Sequence, residues 1–197
     1  MLGIFNTKKR IASQIGIMVN NSLRSCFAGR IDIIDENGDF HPPYGFWNDQ
    51  YIIGFIVLLI SLSIKYDFRG DSFSTTKKGE IMLLSLMDIC KEDWEQAKKI
   101  YFDNGGNESD LFKKGGDDAT VFYFAMSGRL KNDSNNPLVV KAKLLAEKQH
   151  KQYVENAKIL GLTTSTYSSI CLAIAELTLL NHIKENYYSK KSSDNNE

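Results

Sequence analysis

A chain of 197 residues with 43% apolar and 24% charged residues has the composition of one globular domain, which excludes disordered and fibrous classes. Lysine plus arginine equals aspartate plus glutamate at 24 each, so no global field draws the chain to phosphate backbones or anionic lipid. Nucleic acid is therefore disfavoured as a partner, although residues 1–30 carry Lys8, Lys9, Arg10, Arg24 and Arg30 with no acid.

The first ten residues reach charge before any apolar run builds, so they do not read as a signal peptide. Ile11, Ile15, Met18, Leu23 and Cys26 then recur at helical spacing, predicting a first helix from about Lys8 to Phe27. Ile31 to Gly45 reads as an acidic, irregular segment with a turn signal at Asn37-Gly38 and no helix across His41-Pro42-Pro43. A second helix is expected from Trp47-Asn48-Asp49 to Tyr66. It is apolar almost all round and so belongs at the centre of a bundle. Its apolar run is about 14 residues and a bilayer needs about 20, so no membrane span is expected.

Helices are predicted next over about Lys77–Cys90 and Glu92–Phe102, the second stopped by Asp103-Asn104-Gly105-Gly106. Asn107 to Lys114 reads as one turn or more of helix and Gly115-Gly116 as a surface turn, with Asp117-Asp118 capping a separate helix that runs to Gly128. Asn136-Pro137 looks like an N-cap with proline at the first helical position, opening a helix to about Leu160 with Val140, Leu144 and Leu145 on its apolar side. The last helix, about Thr163 to Tyr187, is apolar in its middle and is the second central element. The expected fold is all-α: an irregular bundle of six or seven helices with two central apolar helices. It forms a single domain over residues 1–188 with a polar tail over 189–197.

Chemistry-bearing patterns are sparse. There is no Cys-x-x-Cys, His-Glu-x-x-His, paired Glu-x-x-His or Gly-x-Ser-x-Gly, so no metal and no cofactor are expected. The acidic loop superficially resembles a calcium loop. With Gly38 as its sixth residue, however, the first and twelfth positions fall on Ile33 and Tyr44, which are not carboxylates. Lys113-Lys114-Gly115-Gly116 matches no phosphate-loop pattern. Cys26, Cys90 and Cys171 are odd in number and set in apolar surroundings, the pattern of reduced structural thiols in a cytoplasmic protein.

Two functional readings follow. The leading one is a protein-interaction or regulatory module acting through protein contacts, its partner another protein or a second copy of itself. Its candidate binding residues are Tyr44 and Trp47, which follow the rigid Pro42-Pro43 pair, and Trp94 on an otherwise polar helix. The blander reading of the same aromatics has Phe46, Trp47 and Tyr51 stapling the start of the second helix into the core. The alternative function is a small enzyme with its site around residues 32–41, His41 acting as base and Asp35 or Asp39 orienting it or holding a metal.

Overall fold

The computed structural model describes residues 2–27, 41–105, 108–130, 135–159 and 166–188. The described residues carry the expected all-α architecture, with no strand among them. The helices are α1 (Leu2–Phe27), α2 (Gln50–Tyr66), α3 (Thr75–Cys90), α4 (Trp94–Asp103), α5 (Asp110–Met126), α6 (Pro137–Ile159) and α7 (Thr166–Ala175). Beyond Ala175 the helix continues to Tyr188 through π-helical turns at Glu176–Leu180 and Lys184–Tyr188. The chain clusters into two compact units, one made of Met1–Leu23 and Tyr44–Thr120, the other of Arg24–Pro43 and Val121–Glu197.

In the first unit α2 is the central helix. Asp49 caps it, its Oδ1 accepting hydrogen bonds from the amides of Tyr51 at 2.8 Å and Ile52 at 3.2 Å. Ile52, Ile53, Phe55, Ile56, Leu59 and Ile60 are all buried, each contributing about 1.5–3 kcal/mol relative to exposure. Two helices of this unit, α1 and α3, run parallel to each other. Lys8 of α1 pairs with Glu80 of α3, Ser85 Oγ lies 3.5 Å from the Ala12 carbonyl, and Gly16 sits against Asp88. Residue numbers rise together along both helices, so their N termini share one end of the unit.

α5 departs from the sequence expectation. It begins at Asp110, not after Gly115-Gly116, and passes straight through both glycines. Ser109 provides the cap, its Oγ accepting from the Phe112 amide at 3.2 Å. The glycines are there because α5 crosses α2 with backbone nearly touching backbone. A Cβ placed on Gly54 of α2 would lie 2.1 Å from the Phe112 carbonyl oxygen. This crossing is secured by Tyr51, whose hydroxyl donates to Asp118 Oδ2 at 2.8 Å while Lys114 Nζ reaches the same oxygen at 2.7 Å. Asp118 is thus a mid-helix hydrogen-bond acceptor and not a cap, and Lys113-Lys114-Gly115-Gly116 is helix and not an anion loop.

In the second unit α6 packs on α7. α6 buries Val139, Ala142 and Ala146, and α7 buries Ala173, Ile174 and Ala175. Small residues on both helices allow a close approach. Val140 and Leu144, expected on the apolar side of α6, are instead exposed, because the alanine face is the one turned inward. Two residues past the end of α5 at Met126, Gly128 with φ of 67° closes the helix as the Arg129 amide bonds back to the Phe124 carbonyl at 2.8 Å.

Candidate protein-contact surface

Tyr44 and Trp47 part company within a single turn. Gly45 adopts a left-handed conformation with φ of 82°, which reverses the chain into a 3-10 turn over Phe46–Asn48. Phe46 and Trp47 go inward, packing edge to face at 5.0 Å with Trp47 only 5% exposed. Tyr44, on the other side of the glycine, stands fully in solvent. The turn thus holds one aromatic out by burying two.

The turn packs against α4, and a polar knot ties the surrounding helix ends together. Asn104, buried just past the end of α4, donates from Nδ2 to the Ile100 carbonyl at 2.9 Å and accepts the Ser109 amide on Oδ1 at 2.8 Å. Ser109 Oγ donates in turn to Gln50 Oε1 at 2.6 Å. The start of α2, the end of α4 and the start of α5 therefore meet at one end of the first unit. Phe102, two residues before Asn104, is 56% exposed, and Leu111, two residues after Ser109, is 52% exposed. Together with Tyr44 they place three large apolar side chains in solvent at this end.

Phe102 was legible in the sequence in principle. The buried face of α4 is Ala97, Ile100 and Asn104, and a residue two positions past Ile100 points to the opposite side of a helix. Leu111 was hidden because the turn before Gly115-Gly116 and the helix after them are one continuous helix, α5.

Trp94 does not join this group. It opens α4, and ten residues at about 1.5 Å each set it about 15 Å from the Asn104 end. It is half-buried, with Lys98 Nζ 4.5 Å above its ring. His41 is exposed, while Asp35 and Asp39 lie outside the described residues. Among the described residues no group of three or more His, Cys, Asp or Glu side chains is placed to hold a metal ion. Nor is any helix among them long and apolar enough to cross a membrane. No protein family, curated protein or solved structure matches this chain.

Proposed function

We propose that the protein is a helical interaction module that acts through protein contacts in the cytoplasm, its contact surface centred on Tyr44, Phe102 and Leu111. The observation that supports this most is the exposure of all three beside the knot of Gln50, Asn104 and Ser109. Large apolar side chains held in solvent by a rigid scaffold lose little conformational freedom when a partner covers them. Trp47 serves the surface from beneath, fixing the turn that projects Tyr44. Trp94 with Lys98 is a second, separate anchor.

The test is capture of partners by tagged full-length protein, comparing wild type with a Tyr44→Ser, Phe102→Ser, Leu111→Ser variant and with Trp94→Ala. The expected outcome is a stoichiometric partner, another protein or a second copy, retained by wild type and lost by the triple variant. A triple variant that keeps the fold and binds every partner as before would overturn the surface. Trp47→Ala is unsuitable for this purpose, since emptying a buried tryptophan site costs about 3–5 kcal/mol of stability by itself.

A further inference from the structure

The end of the first unit that bears Tyr44, Phe102 and Leu111 is also acidic, and its opposite end is basic. Around the Asn104 end, Asp49, Asp103, Glu108 and Asp110 stand against Lys99 and Lys113. Asp103, Glu108 and Asp110 flank Phe102 and Leu111, and all three are exposed; Asp103 pairs with Lys99 at 2.5 Å. α2 is 17 residues long, which sets its two ends about 25 Å apart.

At the far end the parallel α1 and α3 begin and α2 finishes. Residues 7–10 and 65–80 there hold seven cations against three acids. One of those acids, Glu80, is already engaged by Lys8, and Asp67 and Asp71 stand at the surface. Lys9, Arg10, Lys65 and Arg69 are exposed at this end, and Lys77 and Lys78 are half-buried, Lys77 with its Nζ 3.5 Å from the Phe73 ring centre. Tyr66, with Lys65 Nζ 5.1 Å from its ring, adds a partly exposed aromatic among them.

Resting on the contact-surface reading above, we infer that the occupant of the Tyr44–Phe102–Leu111 surface is the basic end of a second copy of this chain. Opposite charges at the two ends of the first unit attract copies end to end, and the opposed fields also orient the encounter. The apolar trio then packs against the Tyr66 region while Glu108 and Asp110 face Lys77 and Lys78. The two patches differ, so the contact is heterologous and copies add head to tail. Ion pairs at a protein surface are individually weak and screened by salt, so the association is concentration-dependent and salt-sensitive.

Sedimentation of the full chain at rising concentration, in about 0.02 M and about 0.5 M salt, reads this directly. Wild type is expected to exceed monomer mass at low salt and to return to monomer at high salt. Glu108→Lys with Asp110→Lys, and separately Lys77→Glu with Lys78→Glu, are each expected to remain monomeric alone. Mixed in equal amounts they associate again, because the reversed acidic end of one matches the reversed basic end of the other. Circular dichroism confirms that both pairs keep their helices. Wild type that is monomeric at every concentration and salt overturns the inference, as does a mixture no larger than its components. If wild type stays monomeric yet captures a different protein that the Tyr44, Phe102, Leu111 variant loses, self-pairing falls and the contact surface stands. If nothing is captured either, both fall.

Discussion

Gly115 and Tyr51 are in backbone contact: a Cβ at 115 would stand 2.0 Å from the Tyr51 carbonyl oxygen and 3.0 Å from the Phe55 amide nitrogen. Neither neighbour is a side chain tip that can swing away, so α2 and α5 must separate to admit a methyl group. Gly115→Ala is expected to destabilise the protein, at the upper end of the roughly 1–3 kcal/mol typical of overpacking, despite alanine's better helix propensity. Gly79, inside α3 with nothing within 4 Å of its virtual Cβ, is the control. Gly79→Ala is expected to stabilise by about 0.5–1 kcal/mol. Urea midpoints that move the same way for both substitutions would refute the close crossing.

That crossing also marks where the sequence stopped being readable. Periodicity located α2, α3 and α6 to within two or three residues of where they begin and end, because their starts carry ordinary signals: Asp49 and Ser74 cap, and Pro137 occupies a first turn. Gly115-Gly116 carries the same local signal whether it breaks a helix or lets two helices touch. Only the partner helix decides, and the pairing of Tyr51 with residue 115 is not a local property. The aromatics around α2 were legible as a set but not one by one. Phe46, Trp47 and Tyr51 are the core staple, whereas Tyr44 is outside, and the divider is the left-handed Gly45. The α6 stripe failed for a related reason. Hydrophobicity favoured Val140 and Leu144, but the small faces of Ala142 and Ala146 are the ones buried in the second unit.

The hydroxyl of Tyr51 reports the same crossing by a polar route. It is buried and donates to the Asp118 carboxylate, which Lys114 also holds. Tyr51→Phe keeps the ring and removes one hydrogen bond to a charged group, so a loss of about 1.5–3 kcal/mol is expected. Asp118→Asn retains an acceptor and is expected to cost less. In a double-mutant cycle of Tyr51→Phe with Asp118→Ala, which removes the acceptor, the two effects should be distinctly non-additive, since they share one contact. Additive losses would show that the hydrogen bond contributes nothing.

Lys91 joins α3 to α4 with φ of 49° and ψ of −115°, a conformation that a Cβ opposes and glycine accepts. Such residues store about 1–3 kcal/mol of local strain. Lys91→Gly is expected to stabilise the protein by about 1 kcal/mol after glycine's extra unfolded-state entropy is counted. Lys91→Val is expected to destabilise it, because a β-branched side chain tolerates this region least. Thermal unfolding of the pair beside wild type decides the matter, and a glycine variant that melts lower contradicts the strain.

Cys90 ends α3 in the core, and burial, reinforced by the nearby Asp93 carboxylate, pushes its thiol well above the ordinary value of 9.0. Two consequences follow. The native thiol stays protonated at mildly alkaline pH, so thiol reagents should modify Cys90 only as fast as the protein opens. Its linkage to stability has a definite sign. Below pH 9.0 the thiol is protonated in both folded and unfolded chains and contributes no slope. Above that value the unfolded thiol loses its proton while the folded one keeps it, so the unfolded state is favoured and stability falls as pH rises. One proton of difference lowers the folding equilibrium constant about tenfold per pH unit in this window. Cys90→Ala removes the linkage, so the stability of wild type relative to this variant should be flat from neutral pH to about 9 and then decline. Urea titrations of both proteins across that range measure the difference, and a difference that stays flat into the alkaline region would mean that Cys90 is accessible to solvent in the native chain.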